Sequence, residues 1–352
     1  MTLSIPVVWA DEHRLHDPTS GVWVGVPVPN DEVPARAEVI RETLEAAGAP
    51  VVPAAAHDNT TLLAVHDPGL VEFLRLAWER WSASEVPGQS GQRDVVGYLF
   101  PTPGFLSGEE AHPPASPAAA TGARCYDTMT PVADGTWAAA RAAVDAALTA
   151  ADLVAGGAQA AYACCRPPGH HVTRSAYGGS CYLNNAAVAA ERLREAGYAR
   201  VTVLDLDAHH GNGAQAIFRG SDDVLTASVH VDPGAGWFPH FVGFADENGP
   251  TNLNVPLPPG ADDGAWLTGV DALAVAAQAH LADALVVALG VDAAEEDPNA
   301  PLRVTADGFR RAGRRLAELD LPTVFVQEGG YVLETIGELV LATLDGFEEG
   351  RA

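Results

Sequence analysis

From about Trp137 onward the chain alternates between short apolar runs and longer stretches with helical spacing. The runs are AAYACC (160–165), VTVLDLD (201–207), VLTASVHV (224–231), ALVVALGVD (284–292) and TVFVQEGG (323–330). Helical spacing fills Trp137–Ala155, Asn185–Ala196, Gly264–Ala282 and Ala306–Leu319 between them. A strand that is apolar on both faces belongs in a parallel sheet covered by helices on either side, so this alternation predicts βαβ units. Upstream, SIPVVW (4–9) adds a strand. Helices are expected from about Pro34 to Ala47, preceded by acidic Asp31 and Glu32, and around Gly69–Trp81. The predicted fold class is therefore α/β, a doubly wound and mostly parallel sheet flanked by helices.

One stretch breaks the pattern. From Ser82 to about Pro131 the chain carries VPGQSGQ, FPTPGF and HPPASP with no sustained periodicity, which predicts a long loop serving as a lid, an interface or a disordered segment. No internal repeat divides the rest, so residues 1–352 are expected to form one domain with a loop insertion at about 82–131.

Composition narrows the function classes. The chain has 20 Lys plus Arg against 46 Asp plus Glu, a formal charge of −26, and phosphate binding needs a basic surface, so no nucleic-acid partner is expected. The hydrophobic fraction of 47% is that of a folded globule. No apolar run approaches the roughly 20 residues of a membrane span, and MTLSIPVVWADEHR lacks a basic segment followed by a long apolar one. The expectation is a soluble, cytoplasmic protein with no membrane partner. Cys125, Cys164, Cys165 and Cys181 show no metal-knuckle spacing and read as core thiols.

The polar residues that interrupt the apolar runs collect at their C-terminal ends: Arg166-Pro-Pro-Gly-His170-His171, Asp205-Leu-Asp207-Ala-His209-His210, Asp292, and Glu328-Gly-Gly-Tyr331. Ligands of open parallel sheets bind at those ends, so the four are expected to form one site rather than four isolated caps. Residues two apart on a strand share a face, so Asp207 and His209 could aim at one ion, with Asp292 the best candidate for a third ligand. Two carboxylates and an imidazole suit Zn²⁺ with an open position for water; Fe²⁺, Co²⁺ or Mn²⁺ would accept the same donors. His170 and His171 offer a base for a metal-activated water, with Asp205 and Asn212 available to fix their tautomers. Tyr331 after a Gly pair is either a core tyrosine or a donor to a developing oxyanion. Together these are the parts for hydrolysing an amide or ester.

RPPGHH, GGSCYLNNAA, VLDLDAHHGNG, LGVDAAEEDP and QEGGY together resemble the zinc-dependent histone deacetylase superfamily, and from about Trp137 to the C-terminus the resemblance is specific. HHGNG, DPGAGWFPHFVGFADENG (232–249) and DEHRLHDP are similar to the acetylpolyamine amidohydrolase and class II deacetylase branch. The resemblance implies the arginase-deacetylase fold with about eight strands. It implies metal ligation by Asp207, His209 and Asp292, His171 as general base and acid, His170 as its electrostatic partner on Asp205, and Tyr331 polarising the substrate carbonyl. It also implies a structural K⁺ held by Asp205, Asp207, His209, Ser228 and Val229, and a homodimer through the 82–131 loop. Gly179, Ser180 and Phe238 would wall the substrate channel.

The chain departs from that pattern in three places. Ser180 stands where an aromatic usually walls the channel, and Gly21 and Ala120 stand near positions that carry ammonium-binding acids, for which Asp17, Glu109 or Glu110 could substitute. The expected substrate is thus an acetyl or short acyl group on a primary amine, acyl-lysine-like or otherwise small, with acetylpolyamines accepted without strong preference. A binuclear Mn ureohydrolase of the same fold would need carboxylates where Gly211 and Gly290 stand, and a non-catalytic acyl-amine-binding protein would lack a ligand, the histidine pair or the tyrosine.

Overall fold

The computed structural model describes residues 2–351. Eight parallel strands form one sheet: β1 (Val7–Trp9), β2 (Val51–Pro53), β3 (Ala160–Ala163), β4 (Val201–Asp205), β5 (Val224–Val231), β6 (Asn252–Leu257), β7 (Ala284–Leu289) and β8 (Thr323–Gln327). Their order across the sheet is β2-β1-β3-β8-β7-β4-β5-β6. The strands that the polar motifs follow, β3, β8, β7 and β4, are the four central ones.

Side-chain alternation explains why these runs are apolar throughout. In β7, Val286 and Ala288 enter one core layer while Leu285, Val287 and Leu289 enter the other; in β8, Val324 and Val326 oppose Phe325. Helices Pro68–Ser82, Thr136–Ala155 and Asn185–Glu195 cover the first face. Helices Ala35–Ala46, Asp263–His280, Ala306–Ala317 and Ile336–Arg351 cover the second. With both faces covered, a strand has no polar side to show. Six of these seven helices lie within two residues of the sequence expectation, and several start at caps the sequence carries: Asn184, Asp262 and Thr305 accept from the N–H groups of Ala187, Ala265 and Gly308. All four cysteines are buried and free.

Two expectations change. The 82–131 stretch is not a featureless loop, because it forms short helical turns at Val86–Ser90, Pro103–Leu106 and Pro117–Gly122, and Val95 pairs with Val132. And β4 ends at Asp205, so Asp207 and His209 do not share the face of a strand. They lie in the bend that follows, and backbone hydrogen bonds rather than pleating bring them together. No described helix is long and apolar enough to cross a membrane.

Candidate active site

The bend after β4 is fastened by its own carboxylates. Asp207 accepts from the N–H of His209 (2.8 Å) and of Gly329 (2.8 Å), and Asp292 accepts from the N–H of Ala208 (2.8 Å). His209 Nδ1 then lies 3.2 Å from Asp207 and 3.0 Å from Asp292. Its Nε2 is 3.1 Å from the carbonyl oxygen of Asn299, which can only accept, so Nε2 carries the proton. A neutral ring would therefore aim a lone pair at two carboxylates. The three donor atoms lie within 4.8 Å of one another, which is the arrangement a cation resolves. Burial opposes a charge on His209, but the hydrogen bonds to Asp207 and Asp292 push its pKa well above the usual histidine range. Space is reserved for these groups. A side chain at Gly290 would collide with the Asp207 carboxylate, and one at Gly329 would meet both carboxylates at 2.5 Å. Gly290 thus leaves no room for a further ligand of a second ion.

The two histidines of RPPGHH are adjacent in sequence but differ in charge. His170 Nδ1 is 2.9 Å from Asp205, and burial, which lowers its pKa, is outweighed by Asp205 and Asp207, so the ring is pushed up to about 10. His171 Nδ1 is 2.7 Å from Asn212 Oδ1. The Asn212 amide nitrogen donates to the His171 carbonyl (3.4 Å), which fixes the amide with its oxygen toward the ring. Burial, then the neighbouring charges of His170 and His209, hold His171 well below its usual value. With Nδ1–H given to Asn212, the Nε2 lone pair of His171 is left free. The loop itself hangs from Glu328, whose carboxylate accepts from the N–H of Gly169 (2.6 Å) and of His170 (3.0 Å). His170, Cys181 and Glu328 also cluster; these bonds engage one Glu328 oxygen, and burial holds the thiol protonated by raising its pKa well above the usual value.

Tyr331 follows β8. Its N–H donates to Asp297 (2.8 Å), and the Arg36 guanidinium lies 4.7 Å from its ring centroid. Arg36 donates to the carbonyls of Gly330 and Glu328 and to Glu32 (2.7 Å); Arg166 donates to the same Glu32 oxygen (2.8 Å). This buried Arg36–Glu32–Arg166 group was not foreseen. Glu32 and Arg36 are four apart at a helix start, the spacing of an ordinary surface pair.

A cavity of about 420 Å³ opens above these groups, lined at its base by His171, Gly179, Ser180, His209, Phe238 and Tyr331. All three expected channel residues are there. The Phe238 ring meets the His171 ring edge-on at 4.7 Å. Ser180 leaves its side of the channel without an aromatic, and Tyr126, which the sequence did not single out, packs behind the adjacent Gly178 and donates from its hydroxyl to the His171 carbonyl (3.0 Å). Of the residues implied for a monovalent cation, Asp205 and Ser228 line a small void of about 10 Å³; Asp207, His209 and Val229 do not. Asp17, Glu109 and Glu110 do not line the channel cavity.

An α/β sheet with two carboxylates, three histidines and a tyrosine at its C-terminal edge defines the class of metal-dependent hydrolases. Comparison places the chain within it. Residues 30–347 match the histone deacetylase domain, and the chain belongs to that family. It is 39% identical over 347 residues to acetylpolyamine amidohydrolase 1 of Pseudomonas aeruginosa, covering 97% of this chain and 98% of that protein. It is 38% identical to the acetylpolyamine amidohydrolase of Mycoplana ramosa, with the same shares covered. The crystal structure of acetylpolyamine aminohydrolase from Burkholderia pseudomallei superposes with a TM-score of 0.93 at 37% identity, covering 99% of this chain and all of that one.

Proposed function

We propose that this protein removes acetyl groups from acetylated polyamines and related short acylated amines by metal-dependent hydrolysis. The observation that carries the reading is the division of labour at the site: lone pairs of Asp207, His209 and Asp292 converge on one point beside one charged and one neutral histidine. A divalent cation held by those three, Zn²⁺ or in its place Fe²⁺ or Co²⁺, supplies Lewis acidity to the amide carbonyl and to water. His171 Nε2, kept neutral, accepts a proton from the attacking water and returns it to the departing amine. His170, held charged by Asp205, stabilises the negative charge that develops beside it. The Tyr331 hydroxyl donates to the oxyanion. Asp205 and Ser228 border a void that suits a structural monovalent cation such as K⁺. The protein acts as one domain in the cytoplasm on a small substrate, with neither nucleic acid nor membrane as partner. It forms a homodimer through the 82–131 segment, where Tyr98, Leu99 and Phe105 are exposed apolar residues.

The test is metal analysis with hydrolysis assays on acetylputrescine, acetylspermidine and acetyl-lysine. We expect one catalytic ion per chain, activity abolished by chelation and restored by Zn²⁺ or Co²⁺, and release of free amine. All three substrates already carry a free amine, so hydrolysis is read through the acetate released. Two catalytic ions per chain, full activity without metal, or no amine released from any of the three would overturn the reading.

A further inference from the structure

The upper part of the channel cavity differs from its base. It is lined by Trp23, Pro29, Asn30, Asp31, Trp237 and His240, with Asn299 joining the two levels. The whole lining contains two carboxylates, Asp31 and Glu32, and no arginine. Glu32 is buried and already engaged by Arg36 and Arg166. Asp31 is exposed and forms no ion pair among the described residues. Its one polar contact is a donor at 3.4 Å, the side-chain amide of Asn299. That same Asn299 accepts from the metal-site histidine His209 through its backbone, so Asp31 stands beside the reacting centre rather than at a distant rim.

An uncompensated carboxylate in a cavity that also presents two indole rings favours a cation. The carboxylate supplies charge, and the rings supply apolar surface and a negative face for an alkylammonium group. The overall charge of −26 draws cations toward the whole molecule, but it is diffuse and screened by salt, so it discriminates poorly between them. We propose that Asp31 is the specificity-determining residue of the channel, pairing with a second, protonated amine on the substrate while the acylated nitrogen sits over Asp207, His209 and Asp292. This rests on the hydrolytic reading above. It locates in the N-terminal segment the acid that the sequence lacks at Gly21 and Ala120; Asp17, Glu109 and Glu110 lie outside the cavity of their own chain.

The experiment compares N-acetylputrescine with N-pentylacetamide, which replaces the terminal ammonium by a methyl group of similar size. The ratio of kcat/KM for the two is measured in the metal-loaded wild type, in Asp31→Asn and in Asp31→Glu, with thermal unfolding as the check on folding. We expect Asp31→Asn to lower the ratio tenfold or more, chiefly through KM for the cation. Asp31→Glu, which keeps the charge, should retain part of the preference, and added salt should erode the wild-type ratio. An unchanged ratio in Asp31→Asn overturns the proposal. Putrescine binding by calorimetry separates the two readings: binding that depends on Asp31 in a protein that hydrolyses neither amide keeps the cation site and removes the amidohydrolase, whereas putrescine binding equally well to Asp31→Asn removes the cation site.

Discussion

Tyr331 and His171 line the same cavity but their loss should register differently. Tyr331 contributes one hydrogen-bond donor and no metal ligand, so Tyr331→Phe should lower kcat by on the order of a hundredfold or more with metal content unchanged. His171→Ala removes the channel-lining histidine that burial and its charged neighbours keep neutral, so its loss should be at least as damaging. Steady-state kinetics with metal analysis on both variants decides this, and near-normal turnover in either removes that residue from the mechanism. That these two residues meet in one cavity was legible in the sequence because each follows an apolar run, and strand ends converge. Glu328 was visible as a strand-end residue, but its task was not: a carboxylate that receives two backbone N–H groups from the RPPGHH loop is defined by a contact 158 residues away in sequence. The indole of Trp23 and the carboxylate of Asp31 were hidden for a similar reason, since nothing in a short Val- and Pro-rich segment without sustained periodicity tells which side chains will face a cavity.

The buried charges around Glu32 tie separate elements together. Arg36 belongs to helix Ala35–Ala46 and Arg166 to the segment leaving β3, and both reach one carboxylate while Arg36 also holds the backbone leading to Tyr331. Burial works against the Glu32 charge, and Arg166 and Arg36 outweigh it, keeping the carboxylate below its usual range. Replacing it with Gln leaves two buried guanidinium groups without a counter-charge. Breaking such a group costs about 3–5 kcal/mol. Glu32→Gln should therefore lower the unfolding free energy measured in urea by a matching amount, and a loss under about 1 kcal/mol would show that water or another acid compensates. At this scale the sequence was most legible in the long helices and the central strands, where periodicity and length agree. It was least legible at the sheet edges. β2 has only three residues, preceded by Pro50 and ending at Pro53, and β6, NLNVPL, is only half-buried along most of its length and lacks the continuous apolar run that marks a strand covered on both sides.

Across the whole molecule, the chain hides several neutral histidines, and this sets how it responds to acid. His66 is the clearest case. Its Nδ1 is 3.0 Å from the Thr173 carbonyl and its Nε2 accepts from the Asn184 N–H (2.9 Å), so the neutral ring satisfies both partners and a second proton would face a donor. Burial is the main cause that lowers its pKa from 6.5 to about 4. His210 is lowered to about 4 and His16 and His230 to about 3, again chiefly by burial. The sign follows from proton uptake. Below its ordinary pKa each of these rings binds a proton in the unfolded chain before it does in the folded one. The stability it supports is thus complete above about pH 6.5 and lost progressively as pH falls through the folded-state value. For His66 the loss between pH 7.5 and 5 is about 2 kcal/mol, from the difference between 6.5 and about 4. A Gln at this position offers one donor and one acceptor and does not titrate, so His66→Gln should lose about 2 kcal/mol less than the wild type over that interval. Urea unfolding of both proteins at the two pH values, at fixed ionic strength because a charge of −26 makes stability salt-dependent, measures the difference. Parallel pH dependence in the two proteins would mean that His66 takes up its proton as readily folded as unfolded, and that the acid response comes from the other buried rings.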